Sequence, residues 1–399
     1  MENKILSKKK KRSISKKITI ILGIPLALFL IFYFGIILLF VSKDTSKDTP
    51  IYTGKIISDA NQSPLNNNFG HFTEPKAIVK DLDLSGKIFV MTGGHTGTGR
   101  EAAKAFISKG ATIIALTNDM EWAKRNLKGL PNVEIEYLDL QKPKTIENFT
   151  RKFLKSERQI DVLINSAGIH NTPLQRDDRG NERQFSVNVL GHFELTLKLL
   201  PALKKANGAR IINLSSRGHR LQNVNFDDIN FEHTSYDGMQ AYAQSKTALA
   251  LLSVKEDELF KQYNIRAFAV HPGPIPTSDL FAGSLVGYAS SFKFWYTEFA
   301  AKCLRTLWGT EIMNFLRKPK NEGDIFKTVT QGGSTTTWAA VSSELNNRGG
   351  LYLEDCNIAP IVPNGSNAPF GVRPWALDKQ DADTLWSICE KRTGVSYNR

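Results

Sequence analysis

From Ile88 onward the chain alternates short apolar runs with longer stretches in which apolar positions recur every three or four residues. IFVMT (88–92), TIIALT (112–117), VEIEYLDL (133–140), IDVLINSAG (160–168), ARIINLSS (209–216) and IRAFAVHPG (265–273) read as buried strands. Helical spacing fills the intervals: EAAKAFISKG after the first strand, then 119–128, 143–157, 181–206 and 239–263. Strands apolar on both faces and alternating with helices predict an α/β class, a doubly wound parallel sheet covered on both sides. TVTQGGSTTTWAAVSSEL reads as helical again, and a Pro/Gly-rich tail runs to Arg399. No repeat of fixed period is present.

The pattern differs before the first strand. Residues 18–41 hold no charge and are long enough to cross a bilayer as a helix. A secretory signal has a shorter apolar region and a small-residue cleavage site, which this stretch lacks. Residues 1–17 carry eight cations against one anion, Glu2. The residues just past the span are balanced, so the positive-inside rule places the N-terminus in the cytosol and the main domain across the membrane. Residues 42–80, rich in Ser, Asn, Asp, Thr and Pro, read as a linker to a single domain over 81–399. Residues 279–320 leave the strand–helix rhythm and turn aromatic and basic. That segment reads as a substrate lid, a membrane-contacting helix or plain core.

Composition narrows the function. The net charge is +13, but over half of it sits in the N-terminal tail, and no basic stripe interleaved with aromatics occurs elsewhere. Nucleic acid is therefore not an expected partner. Three cysteines, Cys303, Cys356 and Cys389, lie far apart without a CxxC pair, which excludes a zinc ribbon and a disulfide scaffold. No metal-ligand spacing links His192, His219 and His271, so no metal is expected and structural hydrogen bonding is the first reading for each.

The chemistry gathers at strand ends. After Thr92 come Gly93, Gly97 and Gly99, and then a helix. Such a turn lets a pyrophosphate approach backbone N–H groups at a helix N-terminus. Tyr242 and Lys246 are an i, i+4 pair on one helix face, where a cation lowers a phenol toward usable proton transfer. Ser216 ends a predicted strand, NSAG (165–168) ends another, and Asn188 lies in SVNVLGHF. In an open α/β sheet, ligands bind outside the carboxyl ends of the strands, where all these motifs fall.

TGGHTGTG, Asp139 in LDL, DVLINSAG, NVLGHF, NLSSRGH, YAQSK and HPGPIPT, in this order, resemble the short-chain dehydrogenase/reductase family, above all its retinol-dehydrogenase-like and WW-domain-oxidoreductase-like members. The resemblance implies a Rossmann fold and a nicotinamide cofactor. It makes Tyr242 the general acid/base, Ser216 the partner of the substrate oxygen, Lys246 the group that binds the ribose and tunes Tyr242, and Asn188 the holder of a proton-relay water. It places Thr92, Gly93, Gly97, Thr98 and Gly99 around the pyrophosphate, Asp139 at the adenine, and Asn165, Ala167 and Gly168 along the adenosine side. Pro272, Gly273 and Thr277 would line the nicotinamide. It also implies homodimerisation through the helices of Asn188 and Tyr242.

Where an acidic residue would bind the ribose of NAD, this chain has Leu116 and Thr117, and Asp119 is placed to start the next helix. NADP(H) is therefore favoured over NAD(H). The expected protein is a membrane-anchored oxidoreductase acting on a small lipophilic carbonyl or alcohol, such as a retinoid, steroid or long-chain carbonyl. The endoplasmic-reticulum membrane satisfies both the topology and the need for pyridine nucleotide. The alternative is a dinucleotide-binding sensor or scaffold without turnover, which would not need Asn188, Ser216, Tyr242 and Lys246 together.

Overall fold

The strand that ends in the glycine turn, β1 (Ile88–Thr92), lies inside an eight-stranded sheet. It pairs in parallel with β2 (Thr112–Thr117) on one side and β4 (Val162–Asn165) on the other. β3 (Val133–Tyr137) lies beyond β2 as the half-exposed edge. β5 (Arg210–Leu214), β6 (Arg266–His271) and β7 (Leu351–Glu354) continue the parallel sheet past β4, and β8 (Asn357–Ile358) turns back antiparallel. The strand order therefore reverses between β1 and β4, which opens a crevice at their carboxyl ends. This is the Rossmann-like architecture the periodicity predicts. The computed structural model describes residues 34–35, 52–278, 280 and 309–397.

Helices cover both faces because the strands are apolar on both. On one face lie α1 (Gly97–Ile107) and, later in the chain, a helix at Ser334–Val341 whose Trp338 is completely buried. The other face carries α3 (Pro143–Lys155), α4 (Gly191–Lys205), α5 (Gly238–Phe260) and a C-terminal helix at Lys379–Thr393. Between β2 and β3 runs α2 (Met120–Asn126), started by the Asp119 carboxylate, which accepts from Trp122 N at 2.9 Å. The helices after these are α6 (Gly309–Arg317), α7 (Ser334–Val341) and α8 (Lys379–Thr393).

Two stretches are more ordered than their composition implies. The stretch expected to be linker is part of the packed domain from Tyr52 on. Ile57 N donates to Ile361 O at 2.9 Å, and the buried Gln62 donates to both Tyr352 O and Ala359 O at 2.7 Å while accepting from Tyr352 N at 3.1 Å. Its amide thus satisfies Tyr352 N and Ala359 O and shares Tyr352 O with Ala359 N, which donates to it at 3.0 Å. The Pro/Gly-rich tail adds β7, β8 and α8. Trp386 of α8 stacks edge-on against Phe193 at 4.9 Å and Phe260 at 6.1 Å. α8 packs along α5 and meets α4 at Phe193.

Residues 18–41 lie outside the described residues except for Phe34 and Gly35, as does most of the 279–320 segment before α6. Among the described residues no helix is long and apolar enough to cross a membrane.

Candidate active site

The glycine turn is built for close approach. Gly93 and Gly97 hold φ of +69° and +53°, a region that disfavours a side chain. A Cβ on Gly99 would come within 2.5 Å of Gly93 O, so only glycine lets α1 begin this near the turn. The N-terminus of α1 is thus presented as bare backbone at the crevice, the arrangement a pyrophosphate needs. These residues fit a dinucleotide. Thr98 lies against Gly332, where an added Cβ would be 2.6 Å from Thr98 Cγ2.

Thr92 ties the turn to its neighbour. Its hydroxyl accepts from Ser166 N at 2.9 Å and Ala167 N at 3.0 Å, and lies 2.9 Å from His192 Nε2. The other ring nitrogen of His192 is 2.9 Å from Asn188 O. Burial holds this imidazole neutral, down to about 4, so His192 donates to the Asn188 carbonyl and accepts from Thr92. Thr117 closes β2 and receives Asp119 N at 3.0 Å. Asp139 sits in the turn after β3, accepting from Gln141 N at 3.0 Å. Asn165 ends β4. Its side-chain amide points into the core, donating to Thr196 Oγ1 at 3.1 Å and Asn213 Oδ1 at 2.8 Å, which leaves only its backbone for the crevice.

Asn188, Ser216, Tyr242 and Lys246 converge. Asn188 lies in a π-helical turn, Ser186–Leu190, that leads into α4. Such turns recur at functional sites because they shift the local backbone hydrogen bonding. Its side chain is fully engaged by protein: Oδ1 accepts from Ile169 N at 2.9 Å, and Nδ2 donates to Ile169 O and Ser245 Oγ, both at 3.0 Å. A relay through this residue therefore has only the main-chain carbonyl to use. Gly168 is pressed against the cluster, since a Cβ there would lie 3.1 Å from Asn188 Oδ1 and 3.5 Å from Lys246 Nζ.

The electrostatics correct one expectation. Lys246 Nζ donates to Leu214 O at 2.7 Å and lies 5.5 Å from the centre of the Tyr242 ring. Burial drives this ammonium down to about 7 and pushes the Tyr242 phenol up to about 12. The Ser216 hydroxyl, hydrogen-bonded to the phenol, pulls the phenol the other way. Within the protein's own groups, burial outweighs the Ser216 hydrogen bond at Tyr242, so the predicted lowering by Lys246 does not set the phenol.

The far wall comes from β6 onward. Pro272, Gly273 and Thr277 follow β6, with Gly273 at φ +99° and Thr277 buried. His271 Nδ1 accepts from Arg217 N at 3.2 Å and Gly273 N at 3.4 Å, joining the Ser216 loop to this one. His219 does related work below Ser216. Arg373 N donates to its Nε2 at 3.3 Å, so Nδ1 carries the proton and reaches Ser216 O at 2.7 Å and the Tyr352 hydroxyl at 3.0 Å. Arg217 and Arg220 then bind Asp324 at 2.7 Å and Glu354 at 3.4 Å.

One residue at the site was missed by sequence reasoning. The His170 ring meets the Tyr242 ring edge-on, with centroids 4.4 Å apart, and burial lowers it to about 4. The available signal was its place two residues past NSAG, at a strand's carboxyl end.

This fold and site define a dinucleotide-binding oxidoreductase of the open α/β type. The family model for short chain dehydrogenases matches residues 87–282. Retinol dehydrogenase 13 of Mus musculus is 30% identical over 331 residues, covering 80% of this chain and 87% of its own. Short-chain dehydrogenase/reductase prx1 of Penicillium roqueforti is 30% identical over 333 residues, covering 80% and 89%. Among solved structures, an uncharacterised protein from Mycobacterium paratuberculosis superposes with a TM-score of 0.58 at 25% identity, covering 80% of this chain and 98% of that one. The chain belongs to the short-chain dehydrogenase/reductase family, in its retinol-dehydrogenase-like branch. The family binds a nicotinamide dinucleotide.

Proposed function

We propose that this protein is an NADP(H)-dependent oxidoreductase that interconverts a carbonyl and an alcohol on a small lipophilic molecule. The observation that carries the reading is the meeting of Ser216 and Tyr242 beside Lys246, at the same sheet edge as the glycine turn. A bound nicotinamide would supply or accept the hydride. Gly93, Gly97 and Gly99 would hold its pyrophosphate, Asp139 its adenine end, and Pro272, Gly273 and Thr277 its ring. In the reducing direction the Ser216 hydroxyl donates to the substrate carbonyl oxygen and orients it. As charge develops there, the protonated Tyr242 phenol gives up its proton to that oxygen. Lys246 stabilises the phenolate so formed, and a water held at the Asn188 main-chain carbonyl would deliver the proton that restores the phenol.

The NADP(H) preference rests on the end of β2. Thr117 brings no carboxylate to the strand end, and Asp119, two residues on, caps the next helix through Trp122 N, which supports room for a 2′-phosphate there. A lipophilic substrate is supported by the apolar segment 18–41, by the aromatic segment 279–320 and by the name retinol dehydrogenase borne by several relatives. In this reading residues 18–41 anchor the protein in the endoplasmic-reticulum membrane with its basic N-terminus cytosolic.

The test is titration of the full chain with NADPH and with NADH, followed by nicotinamide fluorescence, and then turnover of retinaldehyde and long-chain aldehydes. NADPH should bind more tightly. Tyr242→Phe should lower kcat/KM by about 10³-fold and leave dinucleotide affinity unchanged. Undiminished turnover by that variant would sink the mechanism, and a folded chain that binds neither dinucleotide would sink the enzyme.

A further inference from the structure

The loop that carries Pro272, Gly273 and Thr277 rests on a lysine. Lys327 has no exposed side-chain surface. A Cβ on Gly273 would fall within 2.5 Å of Lys327 Cδ, and Lys327 N donates to Pro274 O at 2.9 Å, so the lysine stem lies directly under the loop. Its Nζ is ion-paired with Asp355 Oδ1. The other Asp355 oxygen is 3.3 Å from His71 Nδ1, and His71 Nε2 is 3.1 Å from Ile325 O. His71 is almost wholly buried, although it belongs to the stretch before the sheet that composition marks as linker.

The arrangement is costly. Asp355 and Cys356 form the two-residue turn between β7 and β8, and both hold positive φ, +49° and +56°. That geometry is usually given to Asn-Gly. An ion pair with one wholly buried member adds little stability, because desolvating the lysine offsets much of the attraction. A strained turn that presents a carboxylate to a buried lysine is better explained by what it positions.

What it positions is the cofactor side of the crevice. Lys327 directly precedes Thr328, the cap of a short helix, Val329–Gly332. An added Cβ on Gly332 would lie 2.2 Å from Ile275 Cδ1 and 2.6 Å from Thr98 Cγ2. The segment that starts at Lys327 is thus wedged between the loop after β6 and the start of α1, the walls assigned to the nicotinamide and to the pyrophosphate.

We propose that His71, Asp355 and Lys327 form a clasp of positioning residues that sets the Gly273 loop against the nicotinamide half of the dinucleotide. The stretch before the sheet is then part of the cofactor site. The inference rests on the dinucleotide reading above.

The test compares the full chain with Lys327→Met, Asp355→Asn, the double variant and His71→Leu. Each is titrated with NADPH and with 2′-phospho-ADP-ribose, which lacks the nicotinamide; NADH and ADP-ribose serve as the second pair. Lys327→Met keeps the stem on Gly273 and removes only the charge. Each single charge variant should weaken NADPH by about tenfold and leave the fragment within about twofold. The double variant should be no worse than either single, because both act through one tie. His71→Leu, which touches Asp355 and Ile325 O but not the loop itself, should show the same split at a few-fold. Fragment binding also reports that each variant is folded. Equal losses for dinucleotide and fragment, or no loss for either, would overturn the clasp. A wild-type chain that binds neither member of either pair would overturn the dinucleotide reading, and the clasp with it.

Discussion

The two walls of the crevice are made in opposite ways. The wall at β1 and β4 consists of glycines, backbone N–H groups and a few short side chains, and its tightest contacts are local or span adjacent strands: Gly99 on Gly93, Thr92 on Ser166 and Ala167. The wall at β5, β6 and β7 is held by charged and imidazole side chains reaching far along the chain: Arg217 to Asp324, Arg220 to Glu354, His219 to Tyr352 and Arg373, and Lys327 to Asp355. The first wall needs small residues because a ligand and a helix must come close to the backbone. The second must hold several irregular loops in register, and loops without a ladder of their own are fixed by side chains that satisfy their backbone groups. Binding and positioning are thereby divided between two kinds of construction.

The sharpest way to break this division is Gly99→Ala. The added methyl meets Gly93 O within 2.5 Å, backbone against backbone, with no flexible side chain to yield. Dinucleotide affinity should fall by about 10²-fold in a fluorescence titration. Retained affinity would mean that the turn is not the pyrophosphate site.

On the other wall, His219→Leu removes the bonds to Ser216 O and from Arg373 N. It should cost about 2 kcal/mol of unfolding free energy and lower kcat, while dinucleotide affinity stays near wild type. An equal drop in dinucleotide affinity would show that the two walls are not separable.

The smallest effect probes the core between them. Glu256, buried in α5, accepts from Asn213 Nδ2 at 2.7 Å, and Asn213 in turn receives Asn165 from the end of β4. Burial raises the Glu256 carboxyl to about 8. Because the folded value lies above the unfolded one, its contribution is complete below the ordinary carboxylate range and is lost as pH rises through about 8. Glu256→Gln should therefore raise the melting temperature by several degrees near the alkaline end of a thermal-shift series and by progressively less toward about pH 5. A gap that does not depend on pH would mean that Glu256 is ionised in the fold.

The reach of the sequence follows the same line between the walls. The strands, the helices and the glycine turn were legible because periodicity and glycine placement act within a few residues. The tetrad was legible because YAQSK places its pair one helical turn apart and Ser216 ends a strand. His170 was not legible, since nothing local to NSAGIH says that its ring will meet Tyr242. The ordering of residues 52–80 was equally hidden. Their composition is that of a linker, yet Gln62 and His71 find partners nearly three hundred residues away in Tyr352 and Asp355.

The sequence by itself determined the alternation of strand and helix, the parallel sheet and the family, and it marked Asn188, Ser216, Tyr242 and Lys246 as candidates, because these depend on short-range pattern. Tertiary structure alone decided three things. It turned the Asn165 side chain into the core, it packed the chain's own α8 along α5 and against Phe193, and it pushed the Tyr242 phenol up where a neighbouring cation alone would lower it. Each depends on which groups become buried together, and burial is a property of the assembled fold that no local stretch of sequence contains.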